Sequence, residues 1–232
     1  MSGATIRGVV FDLDNTLFDR QATLRLVFPT LLAAVKAAGA LPDGVSGDDL
    51  AAGWFDADRR LCMYGWPRVY GDLVEKGLLS PAMPFEDYAG AVLAAFGTGA
   101  VRYDYAAGTL ETLRGRGLAL GLLTNGFEEL QMTKLRLIGL ENAFDVILTP
   151  APGEKKKPDP DFFLKMAERL GCPPETLLYV GDDPFNDVGG AYAAGYVPVW
   201  VKTSGIWPEG RKRAPYEIAN VGELPALLDR LT

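Results

Sequence analysis

The sequence predicts an α/β fold, with a parallel β-sheet core carrying helices on both faces and an all-helical domain inserted into it. Three observations predict this. Short apolar, β-branched runs alternate with helix-length amphipathic segments over the second half of the chain, and one such run opens it. Between Arg20 and about Tyr103 there is helical periodicity but no convincing strand. A chain of 232 residues is long enough for a core plus a smaller domain. The expected division is 1–19 with 104–232 for the core and 20–103 for the helical insertion.

Each element has a local reason. Residues 6–11, apolar apart from Arg7, form a run short enough for a buried strand. Asp19 can cap a helix starting near Arg20, which carries Leu24, Val27, Phe28, Leu31, Leu32 and Val35 at helical spacing. Gly39 is its expected stop and Pro29 an expected kink. Ser46 and Asp49 have capping-box spacing ahead of Leu50, Phe55 and Leu61. Two further helical patterns cover 67–76 and 85–96. A helix over 109–116 ends at Gly117, and 118–123 is an apolar strand followed at once by Thr124-Asn125-Gly126. Residues 127–138 form an amphipathic helix that stops at Gly139, and 144–148 a third strand. A Pro/Gly/Lys loop over 150–160 leads into a helix at 161–170. The fourth strand, 177–180, is broken by Gly181-Asp182-Asp183, and a small-residue helix follows over 186–194. A fifth strand at 196–201 and a helix at 224–231 complete the pattern. Such alternation makes a Rossmann-like core with right-handed crossovers.

Chemistry in such a sheet sits beyond the carboxyl ends of the strands. Asp12 and Asp14 stand where the first strand stops. On an extended segment they point to one side, where two carboxylates favour a shared cation or one raised pKa. The chain has no histidine, which excludes Ser-His-Asp and Cys-His catalysis and His-ligated metals. Any reaction must use carboxylates, lysine, hydroxyls or a hard metal. A net charge of -7 argues against a nucleic acid polymer as partner, although a metal, one lysine and helix N-termini can still make a local anion site. The two cysteines, Cys62 and Cys172, offer no disulfide framework and no zinc set, so a reduced, cytoplasmic setting is expected. No apolar run approaches the ~20 residues of a membrane span, and no signal peptide is evident.

Other strand ends carry matching groups. Thr124 and Asn125 offer a hydroxyl and backbone N–H groups at a helix start. Lys157 lies in the loop before the fourth strand, and Asp182 and Asp187 follow that strand. Acidic oxygens of this kind suit Mg²⁺, which keeps waters and substrate phosphate among its ligands. A carboxylate can attack phosphorus once phosphate charge is screened.

The ordered set Asp12-Leu-Asp14-Asn-Thr16, Leu-Leu-Thr124-Asn-Gly, Lys157-Pro-Asp-Pro and Val-Gly-Asp182-Asp-Pro-Phe-Asn-Asp187 resembles the haloacid dehalogenase superfamily of hydrolases. The helical block between the first two motifs resembles that family's inserted cap domain. The resemblance implies Asp12 as the nucleophile that forms an aspartyl-phosphate. It implies Asp14 as general acid toward the leaving alcohol and then base for the hydrolytic water. Thr124, helped by the Asn125 amide, would hold phosphoryl oxygens, and Lys157 would neutralise charge and orient Asp12. Mg²⁺ would be held by Asp12, the Asp14 backbone carbonyl and Asp182, with Asp187 as ligand or support. Asp183 departs from the pattern, which often has serine there.

Asp14 favours a phosphatase, because a displaced halide needs no proton whereas an alkoxide does. A phosphomutase, a haloacid dehalogenase-type hydrolase or a non-catalytic binding module on the same scaffold are the alternatives. The expected substrate is a small phosphorylated metabolite: a nucleoside monophosphate, a sugar phosphate or phosphoglycolate. No membrane partner is expected, and the chain would act as a monomer or homodimer. In the helical block, Trp54, Phe55, Tyr64, Trp66 and Tyr70 fit either base stacking or, more simply, a hydrophobic core. Arg20, Arg25, Arg59, Arg60 and Arg68 are candidates for a second anionic group on the substrate.

Overall fold

A computed structural model of the chain describes residues 5–203 and 207–231. It divides into two compact units, Met1–Asp19 with Val101–Thr232, and Arg20–Ala100. The first unit is built on six parallel strands: β1 (Gly8–Phe11), β2 (Ala119–Leu123), β3 (Val146–Leu148), β4 (Leu177–Gly181), β5 (Val197–Val201) and β6 (Tyr216–Ile218). Their spatial order is β3-β2-β1-β4-β5-β6. β1 is central and wholly buried, as a run with no polar face requires. The chain leaves β1 for β2 and β3 on one side and returns to β4 on the other. The crevice for ligands therefore lies at the carboxyl ends of β1 and β4. Phe11 is level with Leu122 of β2 and Val180 of β4, so Asp12, Thr124 and Asp182 emerge at one rim.

The second unit consists of α1 (Arg20–Ala37), α2 (Gly47–Leu61), α3 (Trp66–Glu75) and α4 (Phe85–Phe96), with a single 3₁₀ turn at Cys62–Tyr64. Helix α1 runs through Pro29 without a break. The Ser46–Asp49 capping box forms in both directions, at 3.1 and 2.9 Å. The aromatic residues settle mainly as core. Trp54 and Tyr88 are buried and joined by an indole-to-phenol hydrogen bond of 3.0 Å. Phe28 and Phe55 pack on Trp54, Tyr70 packs on Phe85 and Tyr88, and Trp66 stacks on Phe96. Tyr64 differs, with 64% of its surface exposed. The arginine expectation is corrected in part. Arg20 is buried and donates a two-bond fork to Asp58 at 2.8 and 2.6 Å, over the face of Phe96. Arg59 and Arg60 pair with Asp56, and Arg60 also with Asp72.

The core helices are α5 (Asp104–Gly115), α6 (Glu128–Leu137), α7 (Pro160–Leu170), the short α8 (Gly190–Ala193) and α9 (Leu224–Asp229). Phe162, Phe163 and Met166 of α7 bury against Val10, Leu123 and Tyr179 of the sheet. Three details depart from the sequence reading. Helix α5 starts five residues early. A π-type turn over Pro184–Gly189 replaces the start of a regular helix. β6 was not foreseen; three residues are too few to show alternation, and pairing with β5 defines it. Where the chain leaves and re-enters the core, Asp19 N–H donates to the Val101 carbonyl at 2.9 Å and Tyr103 N–H to that of Leu17 at 3.2 Å. Among the described residues no helix is long and apolar enough to cross a membrane.

Removing one partner of a buried ion pair strands the other charge, at about 3–5 kcal/mol. Asp58→Ala is therefore expected to destabilise the helical unit by about 3 kcal/mol or more. The double change Arg20→Met/Asp58→Leu should recover most of that. Urea unfolding of both variants checks the pair.

Candidate active site

Lys157 is the hub of the rim. Its ammonium, 3% exposed as a side chain, donates to Asp12 Oδ1 at 2.5 Å, Asp187 Oδ1 at 2.8 Å and the Tyr179 hydroxyl at 3.0 Å. Tyr179 in turn donates to the Leu123 carbonyl at 3.1 Å, tying β4 to β2. The Asn125 side chain fixes the lysine from behind. Its Nδ2 donates to the Lys157 carbonyl at 2.9 Å, and its Oδ1 accepts the Lys157 N–H at 2.8 Å. Any contact of Asn125 with a phosphoryl group would then come from its backbone N–H. The Thr124 N–H bonds the Leu148 carbonyl at 3.2 Å, so its hydroxyl, rather than its N–H, remains to offer a contact from this residue.

Asp12, Asp182 and Asp187 are all buried, and one carboxylate oxygen from each lies within 4.8 Å of the others. Asp187 folds back under the end of β4 because residue 181 is glycine; a Cβ there would collide with the Asp187 carboxylate. Both Asp187 oxygens already accept, Oδ1 from Lys157 and Oδ2 from the Asp183 N–H at 2.9 Å. Trp200 Nε1 holds the Asp182 carbonyl at 2.9 Å. Asp183 explains its departure from serine by capping. Its carboxylate accepts from the N–H groups of Phe185 and Asn186 at 2.7 and 2.9 Å. Asn15, between the two aspartates of the first loop and its threonine, has φ 59°, a left-handed conformation that asparagine tolerates.

Asp14 faces a different cation. Lys134 Nζ contacts its two oxygens at 2.7 and 3.0 Å, and Gln131 Nε2 donates to Oδ2 at 3.1 Å. Sequence reasoning singled out neither Lys134 nor Gln131, and it also passed over Tyr179. The available signal was weak: two polar residues three apart on the helix that follows the Thr124 turn.

Burial dominates the electrostatics. It pushes the Asp12 carboxyl from its ordinary 3.8 up to about 7, with Lys157 opposing and Asp187 and Asp14 adding to the rise. Asp187 is raised for the same reason, again against Lys157. Burial alone would lower Lys157, but Asp12 and Asp187 outweigh it and hold the ammonium well above its ordinary value. Two buried carboxyls, Asp12 and Asp187, thus share one ammonium with the buried Asp182 beside them, an excess of negative charge that a hard divalent cation would relieve. The set can also present a carboxylate oxygen of Asp12 to an electrophile, with Asp14 nearby for proton transfer.

A parallel sheet with carboxylates and a lysine gathered at one rim is an arrangement suited to hydrolytic chemistry, and comparison with known proteins gives the class. Residues 6–195 match the family model described as a haloacid dehalogenase-like hydrolase, and the chain belongs to that family as an enzyme of the phosphatase type. It is 32% identical over 209 residues to a phosphoglycolate phosphatase of Escherichia coli O157:H7, covering 82% of this chain and 79% of that protein. It is 42% identical over 113 residues to a phosphoserine phosphatase of Thermus thermophilus, covering 49% of this chain and 45% of that one. The crystal structure of a haloacid dehalogenase-family (HAD) phosphatase from Thermococcus onnurineus superposes with a TM-score of 0.67 at 27% identity, over 96% of this chain and 98% of the other.

A carboxyl raised by folding contributes stability that is present below its unfolded pKa, near 4, and lost as pH rises through about 7. In EDTA, the wild type should therefore lose stability relative to Asp12→Asn between pH 5 and pH 8. Urea unfolding of the two proteins at both pH values measures this, and a constant difference would count against the shift.

Proposed function

We propose that the chain is a Mg²⁺-dependent phosphomonoester hydrolase acting through an aspartyl-phosphate on Asp12. The observation that carries this reading is the Asp12 carboxylate, gripped by Lys157 within a buried cluster whose oxygens lie within 4.8 Å of one another. That donor set, all hard oxygen, fits Mg²⁺. Asp12, Asp182 and the Asp14 backbone carbonyl would hold the ion, with Asp187 supporting them, since its own oxygens already accept from Lys157 and Asp183. When bound, the ion supplies positive charge that screens the phosphoryl oxygens.

The chain's own groups then divide the work. Asp12 forms a bond to phosphorus as the ester P–O bond breaks, and Asp14 gives its proton to the departing alkoxide oxygen. Water next attacks phosphorus and yields a proton to Asp14. The bond from phosphorus to Asp12 breaks, releasing inorganic phosphate and restoring the carboxylate. Lys157 orients Asp12 and offsets charge on the phosphoryl group, which the Thr124 hydroxyl and the Asn125 backbone N–H hold. A second aspartate at position 14 supports a phosphomonoester over a halide as the leaving partner. The substrate is a small phosphorylated metabolite. Phosphoglycolate is the first candidate, because two relatives are named for phosphoglycolate and phosphoserine, which both pair a phosphate with a carboxylate. Cysteine usage supports a cytoplasmic setting.

Phosphate release from p-nitrophenyl phosphate tests the mechanism. Turnover should require Mg²⁺, vanish in EDTA, return on readdition, and fall by about 10³-fold or more in Asp12→Asn. Turnover that survives both EDTA and the substitution would refute it. A panel including phosphoglycolate and nucleoside monophosphates then ranks substrates by kcat/KM.

A further inference from the structure

Two buried polar side chains on α6 have no part in that scheme. Gln131 and Lys134, at 0% and 1% exposure, lie three residues apart and so share one face of the helix. Lys134 grips both oxygens of Asp14, and its ammonium rests 4.8 Å from the centre of the Phe18 ring. Gln131 Nε2 divides its two N–H groups between Asp14 Oδ2, at 3.1 Å, and Thr124 Oγ1, at 2.5 Å. Asp14 Oδ2 accepts from Gln131 Nε2, and this contact dictates which end of the amide faces it. The consequence is visible at the other end, where Gln131 Oε1 is buried without a hydrogen bond among the described residues. A hydroxyl that accepts from Gln131 keeps its own proton for another acceptor. The loop is shaped to this amide: a Cβ on Gly126 would stand 2.7 Å from Nε2 and 2.8 Å from Cγ of Gln131.

We infer that Gln131 and Lys134 are positioning residues that act through their neighbours. Lys134 holds the Asp14 carboxylate in place, and Gln131 turns the Thr124 hydroxyl proton toward the phosphoryl oxygens while bracing Asp14 on its second oxygen. One helical face thereby fixes the proton-transfer group relative to the phosphoryl cradle. This rests on the phosphatase reading.

The test uses the full chain with Mg²⁺ and p-nitrophenyl phosphate in rapid-mixing experiments. p-Nitrophenolate departs without help from a proton, whereas attack of water on the phospho-enzyme needs Asp14 as base. Lys134→Met should therefore keep a fast burst of about one p-nitrophenolate per site and lose about 10²-fold in the steady state. Lys134→Arg, which can still reach Asp14, should return the steady state to within about tenfold of wild type. Gln131→Leu should raise the inhibition constant of inorganic phosphate about tenfold. A Lys134→Met enzyme whose burst and steady state fall together, or stay at wild-type values, overturns the role of Lys134. An unchanged phosphate inhibition constant in Gln131→Leu overturns that of Gln131, and this arm stands even if Lys134→Met does not fold. A wild type without Mg²⁺-dependent turnover would instead remove the phosphatase reading, and this inference with it.

Discussion

The ammonium of Lys157 is the constraint on which the rim depends. A lysine taken out of water is tolerated only when opposite charge and hydrogen-bond acceptors surround it. Here Asp12, Asp187 and Tyr179 do so, and they come from the end of β1, the turn after β4 and the body of β4. Meeting at one nitrogen forces those segments into register. The Asn125 clasp on the Lys157 backbone adds the loop after β2 to the same knot. Folding of the sheet and assembly of the site are therefore one process at this edge.

The first loop poses a second electrostatic problem, two aspartates two residues apart. Left alone, such a pair would share a proton or repel. The molecule gives each its own lysine: Lys157 from the loop before α7 serves Asp12, and Lys134 from α6 serves Asp14. Neighbours in sequence are thereby placed in separate electrostatic surroundings, a prerequisite for different duties within one reaction cycle.

Much of the sheet could be read from the sequence because buried parallel strands are nearly unbroken apolar runs that stop abruptly. Val9, Val10 and Phe11 followed by Asp12 mark an end that composition alone reveals. Thr124 and Asp182 stand at similar breaks. Lys134 and Gln131 had no such mark. On an amphipathic helix a polar residue looks the same whether it faces water or a carboxylate 120 positions away. Tyr179 was masked differently, as one more apolar-looking member of β4 whose hydroxyl meets its partners only after folding. In the helical unit the ambiguity ran the other way. Trp54 and Tyr70 could have been recognition surfaces by type, but a small bundle needs its large rings inside, and Arg20 is engaged by Asp58.

The place where the main chain departs from the core at Asp19 and returns at Val101 is closed by two backbone hydrogen bonds. Ends already held side by side resemble the mouth of a short hairpin, so whatever hangs between them adds only the slowly growing entropy of a longer loop. Such a junction is a natural grafting point. Successive generations of sequences could lengthen, shorten or exchange the intervening helices there while the parallel sheet and its rim stay untouched, which is how one reaction centre can be fitted to many substrates.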